Sequence, residues 1–302
     1  MIIASLCACG AGPAPLHPGA AGAPLSLAAD ARMIVVPAGQ FVAGSTPEER
    51  GQAYDDYQQS AGTDTARENK WFEREEDRHL EKLPGYRIDL MPVTQAQFAE
   101  YVTAGHAQPL TIDAVSWKAQ GFTQDYGTEV ERFVWRDGRP PAGREDHPVV
   151  LVTWTEADRY CVWRGEIAGG KRRLPTAHEF ENAARGDTGV SYPWGNTFEA
   201  KKLNSGVGGP RDTVPVGTFT VGASPYGGLD LAGNVFHWTS TPEADVPAGG
   251  PSDRSDVLGA HMLVKGSAWD DFAGVGRGAS GHGRARHVRH VIVGFRCAAE
   301  GT

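Results

Sequence analysis

Leu229-Asp-Leu-Ala-Gly-Asn-Val-Phe-His-Trp-Thr-Ser240 is the stretch from which the fold is read. It follows neither the 3.6-residue period of an amphipathic helix nor the alternation of a half-buried strand. Gly233, Asn234, Phe236, His237 and Trp238 fall within six residues. Glycine and asparagine tolerate left-handed backbone, and large aromatic rings need a core to enter. The mixture predicts a compact loop pinned by buried rings, with carbonyls turned inward. Its plainest reading is a core-forming turn.

Four more stretches widen the view: Met33-Ile-Val-Val-Pro-Ala-Gly-Gln-Phe41; His147-Pro-Val-Val-Leu-Val-Thr-Trp154 running on to Arg173-Leu-Pro-Thr-Ala-His-Glu-Phe-Glu181; Tyr192-Pro-Trp-Gly-Asn196; and Gly294-Phe-Arg-Cys297. Together with the first stretch, and in the same order, they resemble the blocks of the formylglycine-generating-enzyme family, the sulfatase-modifying-factor domain. The resemblance runs from about residue 32 to the end. It implies an α+β, C-type-lectin-like fold, rich in loops and poor in regular secondary structure.

Composition agrees. The 302 residues include 39 glycines and 20 prolines, which favour a loop-rich fold over a helical bundle. A net charge of −8 argues against a nucleic-acid partner. No apolar run reaches the roughly 18–20 residues of a membrane-spanning helix. Residues 1–31 read as a leader and flexible linker. Leu6-Cys-Ala-Cys9 resembles a bacterial lipobox with Cys9 as the lipid acceptor, although the usual positive n-region is missing. A disordered tail with two accidental cysteines is the alternative. Residues 32–302 read as one domain, exported to the periplasm or the outer membrane and touching a membrane only through such an anchor.

Helix starts are legible at Thr46, Thr94, Thr153 and Thr176, each with Glu or Gln three residues on. The first helix, to about Ser60, is highly charged and expected on the surface. Residues 62–82 are acidic and mixed in sign, with Trp71 and Phe72 as anchors of the insertion or rim of a cleft. Residues 106–146 predict an irregular excursion. Ala157, Tyr160 and Cys161 share the buried face of the third helix.

The resemblance implies a disulfide between Cys161 and Cys297. It would close a loop of about 137 residues, worth roughly 5 kcal/mol in the chain-entropy model. Two buried free thiols are the alternative. In the family's oxidases, two cysteines shortly after a Gly-Gly-Ser block hold copper, and oxygen converts a sulfatase cysteine into formylglycine. The matching block is Lys265-Gly-Ser-Ala-Trp269, and no cysteine lies between Cys161 and Cys297. Asp270 stands where the first thiolate would be, and a carboxylate is a poor Cu(I) ligand. The sequence therefore argues against copper and against formylglycine generation by that mechanism.

Iron stays open. His282, His287 and His290, interleaved with Arg284, Arg286 and Arg289, offer histidines that Asp270 or Asp271 would join in a two-histidine, one-carboxylate site. The plainer reading of this run is a solvated basic loop beside the pocket. The resemblance also implies structural calcium. One site maps onto Asp230, the carbonyls of Gly233 and Val235, and position 237, where the family's Glu is His237 here. A second would use Asn204 and the Ser205 carbonyl, with Asp212 nearby. Imidazole is a poor calcium ligand.

Two functions of different class follow. The first is a binding or scaffold module that takes a peptide, glycan or small molecule in a cleft near Trp238, Ser267, Trp269 and Asp270. The second is a divergent metal-dependent oxidoreductase with Asp270, Ser267, His282 and His287 as candidate catalytic residues.

Overall fold

From its N-terminal end the fold runs β1 (Met33–Val36), β2 (Gly39–Ala43), α1 (Pro47–Ala61), α2 (Thr65–Glu68), β3 (His79–Leu83), β4 (Tyr86–Asp89), α3 (Gln95–Thr103) and α4 (Ala114–Ala119). It continues through α5 (Trp154–Ile167), α6 (Ala177–Arg185), β5 (Phe236–Pro242), β6 (His261–Lys265), β7 (Gly281–Ala285), β8 (Val293–Gly294) and β9 (Ala298–Glu300). The computed structural model describes residues 32–243 and 261–301. The expected leader, with its Cys9 acceptor, lies outside the described residues. Among those described, no helix is long and apolar enough to cross a membrane.

All four threonine signals are complete capping boxes. The side chain at the third helical position returns to the threonine N–H at 2.7 Å (Glu49), 2.9 Å (Gln97), 2.9 Å (Glu156) and 2.8 Å (Glu179). Each satisfies two of the helix-start donors that have no partner within the helix. Gly186 closes α6 with positive φ.

Strands β1, β4 and β9 form a small antiparallel sheet, β2 and β3 a hairpin, and β7-β6-β5-β8 a four-stranded sheet whose β5–β8 pair is parallel. Phe98, Tyr101, Tyr160 and Phe295 pack at ring separations of 5.3–6.3 Å in the main core. A second cluster joins Ile34, Val36, Tyr86, Ile88, Phe180 and Leu231. Cys161 on α5 is bonded to Cys297, just before β9, with Cα atoms 5.5 Å apart. The bridge ties α5 to the edge of the three-stranded sheet.

Two expectations are corrected, and one alternative is decided. Helix α1 is not confined to the surface, because Ala53, Tyr54 and Tyr57 are buried. Tyr54 meets Phe72 at 4.7 Å, so Phe72 anchors the segment after α1, and that segment supplies β3. The histidine–arginine run is solvated only at Arg286 and His287. His282 lies on β7 edge-on to Phe236, and His290 is buried against both Trp117 and Phe122. The arginines that suggested solvent are spent on partners: Arg289 pairs with Glu156 at 2.7 Å, and Arg286 lies over Trp154.

Candidate functional site

The turn before β5 organises the region. Asp230, Gly233 and Asn234 all have positive φ. A Cβ at Gly233 would stand 2.6 Å from the Asn204 carbonyl oxygen, so only glycine fits there. Asn234 clips three segments together. Its N–H donates to the Asn204 carbonyl, its side-chain amide exchanges hydrogen bonds with the Val214 backbone, and its carbonyl accepts from Trp269 N–H at 3.1 Å. This last contact places the loop that carries Asp270.

That loop is buttressed rather than open. Gly274 N–H donates to Tyr192 Oη, Ala273 N–H to Ser60 Oγ, and the Arg277 guanidinium forms a buried pair with Glu75. Trp269 stacks on Phe133, with the Arg132 guanidinium 5.5 Å from its ring centre. Asp271 caps the turn, its Oδ2 accepting from Ala268 N–H at 2.7 Å. Asp270 Oδ1 is buried with no hydrogen-bond partner. Burial raises the Asp270 carboxyl above the usual aspartate range, against Arg211 and Arg284. Burial and the neighbouring Asp270 hold Asp271 well above it. Adjacent acids in such a place hold their protons to higher pH than a free carboxylate does.

The expected residues do not all converge here. Trp238 is fully buried and donates its indole N–H to the Val152 carbonyl, so it belongs to the core and not to a cleft. Ser267 is also buried, its Oγ accepting from Gly233 N–H. Trp269 is buried too, and Asp270 alone of these four keeps partial exposure. His282 bonds Arg284, and burial drives its pKa well below the ordinary value, as it does for His290. His287 is exposed and lines a separate groove with Tyr126 and Arg289. Among the described residues, these histidines and Asp270 or Asp271 form no cluster of three ligating atoms. The two-histidine, one-carboxylate arrangement is therefore not assembled.

Neither calcium set is complete. At the first, Asp230 Oδ2 accepts from Gly217 N–H, and its carbonyl accepts from His237 Nε2–H and from Arg296. The Gly233 carbonyl accepts from Val235 N–H. Arg296 also donates to the carbonyls of Leu229, Asp89 and Leu90, so a guanidinium is the cation of this turn. Burial lowers that guanidinium to about 10. At the second, the buried Asn204 Oδ1 lacks a partner, and Ser205 O lies close by across Gly209. The Asp212 carboxylate is held instead by Arg144 at 2.5 Å. Two oxygens fall short of the six to eight that calcium takes.

The family description "Sulfatase-modifying factor enzyme 1-like domain" matches residues 24–301. The chain belongs to the sulfatase-modifying-factor family. Within it, the chain is 32% identical over 253 residues to the inactive C-alpha-formylglycine-generating enzyme 2 of Bos taurus, covering 71% of this chain and 77% of that protein. It is 28% identical over 257 residues to the hercynine oxygenase of Mycolicibacterium smegmatis, covering 78% of this chain but 58% of that relative's length. PvdO from Pseudomonas aeruginosa shares the fold, at a TM-score of 0.63 and 21% identity, over 89% of this chain and 94% of that one. The architecture is the C-type-lectin-like fold of the sulfatase-modifying-factor family.

Proposed function

We propose that this family member is a ligand-binding module and not a formylglycine generator. One observation carries the reading: Cys161 and Cys297, the cysteines of the described residues, are bonded to each other and buried, and the resemblance sets Asp270 where the first copper thiolate would stand. A disulfide sulfur is not a thiolate and cannot hold Cu(I) as one. Asp270 Oδ1, beside the Trp269–Phe133 stack, is an acceptor awaiting a donor. A peptide, glycan or small molecule bearing an N–H or O–H would satisfy it. The likeness to an inactive relative supports the same reading, and the disulfide supports an exported protein in an oxidising compartment.

The competing reading is a divergent oxidoreductase, supported by the likeness to a hercynine oxygenase and by the adjacent buried acids Asp270 and Asp271. Metal content separates the two. Protein purified without added metal should carry no stoichiometric copper or iron. In competition with a Cu(I) chelator it should show no site of thiolate-pair strength. Stoichiometric copper or iron, lost in Asp270→Ala, would replace the binding reading with the oxidoreductase.

A further inference from the structure

Glu76 and His178 are 102 residues apart in sequence yet lie side by side. Glu76 precedes β3, His79 opens it, and His178 is the second residue of α6. We infer that Glu76, His79 and His178 form a binding site for a zinc-class divalent cation, at the mouth of the pocket that Glu76 and His178 line with Glu181 and Lys265.

The geometry has the right scale. Two ligands, each about 2.0–2.1 Å from one tetrahedral zinc, stand about 3.3–3.4 Å apart. His178 Nε2 is 3.3 and 3.2 Å from the two Glu76 oxygens, and His79 Nε2 is 3.7 Å from Glu76 Oε2. All three ligating atoms lie within 4.8 Å of one another. No other such set of three occurs among the described residues.

The tautomer of His79 is also set. Its Nδ1 lies 2.8 Å from the Asp77 carbonyl oxygen, which can only accept. Nδ1 therefore carries the proton, and in the neutral ring Nε2 turns a lone pair toward Glu76. A backbone carbonyl on the far nitrogen is how metal-bound histidines are commonly oriented. On the other side, Glu81 Oε2 is 3.7 Å from His79 Nε2. Glu81 or a water completes four ligands.

Donor type selects the metal. Two imidazoles and a carboxylate suit zinc and its first-row neighbours, whereas calcium and magnesium prefer oxygen alone. Access is open, since the side chains of Glu76, His79 and His178 are 30–39% exposed. A bound ion would pin the start of β3 to α6, two elements otherwise distant in sequence.

The test uses the tag-free full chain, stripped with chelator and titrated with zinc alone. One saturable zinc per chain is expected by calorimetry, with the melting temperature rising with zinc concentration as mass action requires. His178→Gln and His79→Gln should each weaken binding at least about tenfold, the scale typical of disturbing a metal site. The His79 side chain is exposed enough that His79→Gln keeps the fold, and the metal-free melting temperature of that variant verifies it. Cobalt(II) should give the intense visible bands of a tetrahedral site, lost in both variants. No saturable binding at about 100 μM zinc, near −5.5 kcal/mol, or wild-type affinity in both variants, would overturn the inference.

Discussion

Asp270 and Asp271 are adjacent carboxyl groups in a place that favours their neutral form. Burial raises both, and for Asp271 the neighbouring Asp270 charge adds to it. The sign follows. A carboxyl whose folded pKa is raised contributes stability fully below its ordinary value of 3.8, and that contribution is lost as pH rises through the folded pKa. Asp271→Asn keeps an acceptor for Ala268 N–H and removes the titration. It should raise the melting temperature at pH above neutrality by a few degrees and flatten its pH dependence. An unchanged pH profile would show that Asp271 is not held neutral. Only the resemblance, through Gly266-Ser267 just before it, assigns Asp270 to the first thiolate position. The histidines are not legible in that way. Arg284, Arg286 and Arg289 make the run look solvated, and nothing local announces that His290 packs against Trp117 and Phe122.

Elements that depend on neighbours in sequence are readable, and those that depend on distant partners are not. The capping boxes have both members within three residues, so Thr176 and Glu179 mark the start of α6 in the sequence itself. Thr176→Ala should cost about 1 kcal/mol in denaturant unfolding, and Thr153→Ala a similar amount. A loss of a few tenths or less would mean tertiary packing alone holds these helix starts. Strand β3 is hidden inside a charged stretch because its pairing partner, β2, lies on the far side of α1. The Glu76–His178 approach is invisible for the same reason. At the first expected calcium turn His237 stands in place of the acid, and Arg296, far along the chain, brings its guanidinium to the carbonyls. Calcium or its chelator should therefore leave the melting temperature unchanged, and a rise of several degrees with calcium would contradict that account.

Across the whole molecule, loop-rich architecture is held by a few long-range ties. The Cys161–Cys297 bond spans a sequence separation of 136 residues. Paired Cys161→Ser and Cys297→Ser substitution should cost about 2–5 kcal/mol, read as a lower denaturation midpoint that no longer responds to reductant. If wild type and the double variant unfold alike, the bridge contributes little. The fold is legible because its blocks are local and ordered. The ligand is not, because Asp270 marks what the site lost and carries no record of what it now meets. On the proposed reading this family member does not run copper chemistry on a peptide cysteine, since Cys161 and Cys297 form a buried disulfide and the resemblance sets Asp270 at the thiolate position. The direct measurement is to incubate the protein with copper, reductant, oxygen and a cysteine-containing sulfatase peptide, and to follow the peptide by mass. Unchanged thiol peptide, at the level of a copper-only blank, is expected. Formylglycine peptide above that blank, abolished by Asp270→Ala in a folded variant, would contradict it.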